Sequence, residues 1–230
     1  MQDNLSQAFP SGPHAARAGS TQSGIRVRSF LRVAAVVILL AAVAFLLIIH
    51  RFLAVSRPTG EGILVVEAWI PSEALPQAAQ LFQSGSYRYL VVVGSQISTC
   101  DHSPNYADLA AESLAKLVPA KNKIVRIAMP YQPANHTFAT ANGFKRWFLI
   151  SDAGACCIDV YTVGVHARKS WITFESVLGS NYRVGVIAGP ETSYNPKYWL
   201  VSRRGLWIVA RNLAGYLYTK YEIAAQAAPS

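Results

Sequence analysis

Cysteine is scarce in this 230-residue chain, which has only Cys100, Cys156 and Cys157. An odd number without framework spacing argues against a disulfide-stapled fold and favours small buried apolar residues. A bridge between Cys100 and Cys157 is also geometrically poor. If their strands are parallel, the two residues lie a strand length apart, roughly 15–20 Å, whereas a disulfide joins Cα atoms within about 7 Å.

Several ligand-binding motifs are absent from the sequence. It has no Gly-x-Gly-x-x-Gly, no phosphate-loop lysine motif and no Gly-x-Ser-x-Gly. A dinucleotide fold of the usual kind and an ordinary serine hydrolase are therefore not supported. Zinc-finger spacing and a basic stripe interleaved with aromatic residues are missing too, so no nucleic-acid partner is expected. The sequence leaves any cofactor unknown.

Acidic residues are few, since 12 of them face 21 lysines and arginines, for a net charge of +9. The excess is uneven. Residues 1–57 carry six arginines against Asp3 alone, a net of +5, and the rest of the chain carries only +4. The positive charge thus belongs mainly to the flanks of one apolar run.

That apolar run covers residues 33–49, seventeen consecutive residues without a charged side chain. A helix of this length rises about 25 Å, and its apolar neighbours extend the span to residues 30–53. A membrane-spanning helix needs roughly 17–25 residues, so we predict a transmembrane helix here. The run exceeds the usual apolar core of a signal peptide, and His50 and Arg51 stand where small cleavage-site residues would be expected. We therefore predict a retained anchor.

Arginine counts on the two sides of the span predict its orientation. Four arginines precede it, at positions 17, 26, 28 and 32, and only two follow it closely, at 51 and 57. The positive-inside rule places the amino terminus in the cytoplasm and the following domain on the other side. Residues 1–29 are rich in Ser, Gly, Gln and Ala and are expected to be a disordered cytoplasmic segment.

Residues 58–230 alternate between predicted strands and helices. The strands are expected at 63–66, 89–93, 124–128, 158–163 and 184–188. The helices are expected at 72–84, 106–117, from the cap Asn135 or Thr137 to about 148, through 171–178, and over 197–221 with a bend at Gly205 or Gly215. This order predicts an α/β fold, a three-layer αβα sandwich around a mainly parallel, five-stranded, Rossmann-like sheet.

Ligands of such sheets bind beyond the carboxyl ends of the strands, where the strand order reverses. The residues predicted at this edge fall into two groups. We predict His166 and Glu67 as catalytic residues. The predicted ligand-binding residues are Gly94, Ser95, Asn135, Thr137, Gly164, Arg168 and Lys169.

The catalytic prediction depends on strand order. A common order places the first strand beside the fourth, so that Glu67 faces His166, and a carboxylate beside an imidazole can orient a general base or hold a metal. The alternative is that Glu67 hydrogen-bonds the backbone of the next loop. Arg168 and Lys169 begin a helix, where the helix dipole disfavours cations. Anion binding would explain them, and plain solvated charges are the alternative.

Two weaker patterns complete the inventory. Asp101 and His102, together with His136, lack tight ligand spacing, so no metal site is predicted. An aromatic stripe runs through the last helical region, and packing is its favoured interpretation. A lipid-binding face is the alternative, because an anchored domain works close to a bilayer. The stripe comprises Trp199, Leu206, Trp207, Tyr216 and Tyr218.

At these positions the chain resembles the ElyC/SanA/YdcF family, whose Rossmann-like domain was long classed as of unknown function. The matching segments are 65–69 at the first strand exit, Gly94-Ser95, the acidic helix start at Tyr106, Asp108 and Glu112, Asn135-His136-Thr137, and 163–166 with Arg168, Lys169 and Phe174. Three departures indicate a divergent subgroup. Glu67-Ala68-Trp69 replaces a glycine-rich loop, Thr140 stands where the family often has an asparagine, and Lys169 replaces an arginine.

The resemblance implies an inner-membrane protein of bacterial envelope biogenesis that acts in cell-wall, peptidoglycan or lipid-carrier metabolism. The expected arrangement is a single-pass anchor and a periplasmic domain that binds an anionic envelope precursor or lipid-linked intermediate. Whether it is an enzyme stays open. The alternatives are a non-catalytic envelope scaffold and a cytosol-facing enzyme that binds S-adenosylmethionine or a nucleotide.

Overall fold

The computed structural model of the chain describes residues 20–100, 102–151 and 153–227. The chain divides into two compact units, residues 1–47 and residues 48–230. The first unit contains most of helix α1 (Ser20–Leu53). The second contains the end of α1 and the whole α/β domain.

Helix α1 includes one candidate membrane span, Phe30–Leu53, with a mean hydropathy of 3.0 and only 6% of its apolar window buried. Large apolar side chains are exposed all around it, as expected of a helix solvated by lipid. The prediction of a helix apolar enough to cross a membrane is confirmed. Residues 20–29, expected to be disordered, are helical instead, because a helix propagates cheaply from an established segment without proline. Residues 1–19 lie outside the described part.

Five parallel strands form one sheet in the order β3-β2-β1-β4-β5, which confirms the predicted fold class. Their bounds are β1 Glu61–Glu67, β2 Ser86–Ser95, β3 Ile124–Met129, β4 Cys157–Val163 and β5 Arg183–Gly189. Every strand predicted from its apolar run is present, and each is longer than its apolar centre. The pairing of β1 with both β2 and β4 buries β1 at the middle of the sheet.

The helices cover both faces of the sheet. Their bounds are α2 Leu75–Ser84, α3 Tyr106–Leu117, α4 His136–Ile150, α5 Ala167–Leu178 and α6 Arg203–Ala227. Side chains alternate along β1, so Leu64 and Val66 pack under α2 and α3, whereas Ile63 and Val65 pack under α4 and α5. The result is the three-layer sandwich that the sequence predicts.

The predicted helix over 197–221 is divided in the structure, and the predicted bend at Gly205 or Gly215 is wrong. A 3₁₀ turn, Pro196–Val201, ends at the extended residue Ser202, and α6 follows. The Ser202 hydroxyl accepts the Gly205 N–H at 3.1 Å and so caps α6. Gly205 has a packing role, since a Cβ there would lie 2.8 Å from the Trp199 carbonyl oxygen.

An extended strap, residues 54–60, joins α1 to β1 and runs antiparallel to β5. The Ser56 hydroxyl accepts the Ala188 N–H at 2.9 Å, and Arg57 exchanges two backbone hydrogen bonds with Val186. The strap covers an edge strand that would otherwise present free backbone groups. Because it runs from the carboxyl end of β5 towards the amino end, the last turn of α1 lies at the carboxyl edge of the sheet.

The strap is fastened by the buried carboxylate of Asp159, on β4. Its Oδ1 accepts the Thr59 N–H at 2.7 Å and the Thr59 hydroxyl at 3.0 Å. Its Oδ2 accepts the Gly60 N–H at 2.8 Å and the Tyr87 hydroxyl at 2.6 Å. Burial raises the pKa of Tyr87, and the bond to Asp159 raises it further. Sequence analysis missed this residue.

We predict that Asp159→Ala destabilises the domain by about 3 kcal/mol, because it leaves four hydrogen-bond donors without their acceptor, the buried Tyr87 hydroxyl among them. Chemical denaturation of the full chain in detergent, followed by circular dichroism, measures the change. Asp108→Ala is the matched control, since it removes an exposed ion pair with Arg126 and should cost under about 1 kcal/mol. Equal losses for the two variants would contradict the fastening role of Asp159.

Candidate functional site

The candidate site lies where the strand order reverses, between β1 and β4. Glu67 is the last residue of β1, and β4 leads through a 3₁₀ turn, Gly164–His166, into α5. The two strands pair directly, with Val66 opposite Tyr161. The structure therefore confirms that β1 and β4 are neighbours, as predicted. Glu67 and His166 both lie at the carboxyl edge of the sheet.

His166 is held in one tautomer by Asn212, on α6. The imidazole Nδ1 lies 2.9 Å from Asn212 Oδ1, and Asn212 Nδ2 donates to the Ile208 carbonyl at 2.9 Å. The second bond orients the amide, so Oδ1 accepts and Nδ1 of the neutral ring carries the proton. Nε2 is then an acceptor, 3.4 Å from the Thr137 hydroxyl. The Trp69 ring meets the imidazole edge-on, with centroids 4.7 Å apart.

The surroundings keep this imidazole neutral. Burial lowers the pKa of His166 below its usual value of 6.5 and outweighs the nearby Glu67 carboxylate, which raises it. The cations Lys169 and Arg211 lower it as well. A neutral ring with a fixed tautomer and an unprotonated Nε2 is suited to accept a proton.

The Glu67 carboxylate is fully buried, and only one of its oxygens is paired. Oε2 accepts the Ser170 hydroxyl at 2.7 Å, whereas Oε1 has no hydrogen-bond partner among the described residues. The partner is thus a side chain on α5, not the backbone of the next loop. A buried carboxylate oxygen without a donor is costly, so Oε1 is available to a ligand or a solvent molecule.

Lys169 is the cation of this site. Burial lowers the pKa of Lys169, whereas the carboxylates of Glu67 and Glu222 raise it. In the described parts of the chain it makes no ion pair within 4 Å. Its amine is therefore free to meet an anionic ligand group, and the choice of Lys169 as a ligand-binding residue stays a prediction.

Helix α6 contributes groups that sequence analysis did not assign to the site. Asn212 orients the imidazole, and Glu222 Oε1 accepts Asn135 Nδ2 at 3.3 Å. Glu222 Oε2 is buried without a partner in the described structure. Ser170 was also missed. No local signal marks these residues, because their roles depend on how α5 and α6 pack.

Arg168 takes a different role from its neighbour Lys169. Its Nε donates to the Phe52 carbonyl, and its guanidinium lies 3.8 Å from the centroid of the Phe52 ring. The cation thus satisfies a terminal carbonyl of α1, which the helix dipole favours. The structure engages Arg168 with the end of α1, away from the imidazole.

Three other predicted ligand-binding residues have packing roles. A Cβ at Gly94 would lie 2.7 Å from the Ala107 nitrogen, so the glycine admits the start of α3. Gly164 has a φ of +46°, and a Cβ there would lie 2.8 Å from Glu191 Oε2. Ser95 is buried at the end of β2. Their ligand contacts stay predictions.

The loop before α4 differs from its prediction in one respect. Asn135 adopts the left-handed conformation, with a φ of 52°, and its side chain does not cap α4. Asn135 thus takes the predicted N-cap position, but its amide binds Glu222 and accepts no α4 N–H. Thr137 is buried and faces His166, as its place in the predicted site requires.

No metal was predicted, and the alternative cluster around His102 is not assembled among the described residues. His102 and His136 are exposed, and Asp101 lies outside the described part. Within that part, one group of three candidate ligands has its donor atoms within 4.8 Å of one another, namely Glu61, Cys156 and Cys157 at the amino edge. In this cluster the Arg183 guanidinium donates to both Glu61 and Cys157, so a side-chain cation already lies beside these two groups.

Two shallow grooves lie away from the imidazole. One, of about 320 Å³, is lined by α2 and the end of α3, and the other, of about 420 Å³, lies between α5 and α6. Neither is lined by Glu67, Thr137, His166 or Lys169. His166 is partly exposed, and the half-exposed Trp69 ring lies edge-on beside it.

The fold and the edge residues define a Rossmann-like α/β protein with a candidate membrane span. Comparison with protein-family models, with curated proteins and with solved structures finds no match for the chain.

We predict that His166 makes the fold less stable in acid. Because its pKa is lowered in the folded state, the unfolded chain binds more protons between pH 6.5 and the folded-state pKa. Stability contributed by the neutral ring is therefore present above pH 6.5 and is lost as the pH falls through this window. Melting temperatures of the full chain across this range measure the loss.

His166→Gln should flatten this pH dependence, since glutamine keeps a polar side chain without a titrating group. His136→Gln is the control, because His136 is an exposed imidazole at the same edge. An unchanged pH profile in His166→Gln would show that the buried ring does not carry the effect.

Proposed function

We propose that the chain is a divergent member of the ElyC/SanA/YdcF family, anchored in the bacterial inner membrane, that binds an anionic precursor of the envelope. The observation that carries this proposal is the position of the candidate site. It lies at the edge of the sheet against which the last turn of α1 packs, and in the proposed arrangement a lipid-linked ligand would reach it from the bilayer.

Contacts within the domain support this position. The His50 Nε2 and the Tyr194 hydroxyl are 2.9 Å apart, and Arg168 binds the Phe52 carbonyl. Ile49 and Leu53 are buried in one cluster with residues of the carboxyl edge and of α6, namely Val165, Tyr194, Trp199 and Val209. These contacts fix the last turn of α1 beside the site.

The chemistry proposed for the site divides between two residues. Lys169 pairs with an anionic group of the ligand, such as a phosphate or a carboxylate. His166 Nε2 accepts a proton from a ligand hydroxyl or from water, while Asn212 holds the ring and Glu67 stabilises the imidazolium that forms. This arrangement suits acid–base chemistry on a head group.

The proposed orientation places the amino terminus in the cytoplasm and residues 54–230 in the periplasm. The excess of arginines before the span supports it. In this arrangement the ligand belongs to the outer leaflet of the inner membrane. A cytosol-facing enzyme for S-adenosylmethionine or a nucleotide would require the opposite orientation.

We predict that His166→Ala abolishes function in a bacterial strain that lacks the chain and shows an envelope defect. Loss of the general base should reduce a catalysed step by about 10²–10⁴-fold. Survival of the strain under envelope stress is measured, with protein levels checked by immunoblot. Lys169→Met should weaken ligand capture and give a similar loss.

His136→Ala is the control, since it removes an exposed histidine of the same edge and should restore growth fully. Full rescue by His166→Ala at normal protein level would discard the catalytic site. If both site variants rescue and changes in the exposed surface of α6 do not, the chain is a non-catalytic scaffold.

We predict that alkaline phosphatase fused after Ser230 is active and that a cytosolic reporter at the same position is silent. The phosphatase folds only in the periplasm, because it needs disulfides that the cytosol keeps reduced. A cytosolic reporter that is active in this fusion would reverse the orientation and favour the nucleotide- or S-adenosylmethionine-binding alternative.

A further inference from the structure

We propose that a second part of the domain lies in the head-group layer of the membrane and binds anionic lipid. It is formed by Tyr198, Val201, Arg203, Arg204 and Trp207, which we call the interfacial patch. This inference rests on the proposed membrane anchor and goes beyond it, since a single-pass helix by itself leaves the domain free to tilt.

The patch lies on the outer side of the 3₁₀ turn 196–201 and of the start of α6, whose inner sides pack against the last turn of α1. Trp199 and Val209 are buried with Ile49 and Leu53. In the same stretch of chain, Tyr198, Val201 and Trp207 are 64%, 84% and 66% exposed. Large apolar side chains therefore point away from the domain beside the residues where the span ends.

The aromatic stripe, for which packing was the favoured interpretation, thus consists of a buried set and an exposed set of residues. Trp199 is buried in the cluster, and Tyr216 is packed against it. Trp207 and Tyr218 are exposed, as is half of Leu206. Packing explains only the inward members. The outward Trp207 needs another partner, and its position on α6 places it in line with Arg203, four residues earlier on the same helical face.

The charges of the patch select an anionic partner. Arg203 and Arg204 are exposed, and in the described part of the chain neither forms an ion pair. Tryptophan and tyrosine concentrate at the membrane interface, and each cation near an anionic surface contributes about 1 kcal/mol to binding. The aromatic and basic residues of the patch therefore favour the head-group layer, and so does the neighbouring end of the candidate span.

A second copy of the chain is the less favoured occupant. In a two-fold contact centred on the patch, Arg203 and Arg204 would meet the same arginines of the other copy, and like charges placed together are destabilising. An anionic lipid surface has the complementary charge. Self-association is therefore an outcome that the experiment must be able to detect.

The test uses the full chain in liposomes of phosphatidylcholine with phosphatidylglycerol, with part of the lipid brominated near the head group. Bromine quenches tryptophan fluorescence only at close range, so the wild-type chain should show a quenched component. Trp207→Phe should lose most of this component. Trp147→Phe is the matched control and should keep it, because Trp147 packs in the core beneath α4, against Tyr89 and Phe144.

The charge requirement is tested with the double variant Arg203→Gln and Arg204→Gln. It should reduce the quenching of Trp207 in liposomes with phosphatidylglycerol and change little in pure phosphatidylcholine. Equal quenching of the wild type in both lipids, with no effect of the double variant, would overturn the anionic preference.

The remaining outcomes separate the patch from the anchor. Retention of the chain in membranes after carbonate extraction, with unchanged quenching in Trp207→Phe, would overturn the patch and leave the anchor in place. Release by carbonate would overturn both. A cross-linked dimer that Trp207→Ala disperses, with Trp207 shielded from bromine, would assign the patch to self-association and overturn the lipid proposal.

Discussion

The parallel pairing of β1 with β4 is the constraint on which the candidate site depends. It makes these two strands neighbours although about 90 residues separate them along the chain. Glu67 is the last residue of β1, and His166 lies in the turn that follows β4. Both therefore lie at the point where the strand order reverses. Helix α5 then starts at this point and brings Ser170 to 2.7 Å from Glu67. Without that pairing, the acid and the imidazole would have no reason to share an edge.

The two buried carboxylates, Asp159 and Glu67, differ in the number of hydrogen bonds that they accept. Asp159 receives four hydrogen bonds, so its charge is compensated by the strap and by Tyr87. Glu67 is equally buried, but among the described residues it receives one hydrogen bond, from Ser170. A buried charge without full compensation is costly and persists where a ligand or a reaction uses it. Asp159 is thus a structural residue, whereas the functional role of Glu67 stays a proposal.

The strap and α6 determine which edge of the sheet lies next to the last turn of α1. The strap carries the chain from the carboxyl edge to the amino edge, and Arg168 and Tyr194 hold the last turn of α1 in place. Helix α6 contributes residues both to the candidate site and to the exposed surface of the domain. Its inner face supplies Asn212 to the imidazole, and its second turn exposes Trp207.

The sequence alone determined the candidate span, the five strands, the fold class and the shared edge of Glu67 and His166, because each follows from local apolar periodicity and from the connection rules of parallel sheets. Only the tertiary structure decided that Asn212 orients His166 across 46 residues, that Ser170 pairs with Glu67, and that Arg168 binds the end of α1. The break at Ser202 was equally hidden. These features depend on which helix packs against which strand end, and periodicity within one segment carries no information about its distant partner.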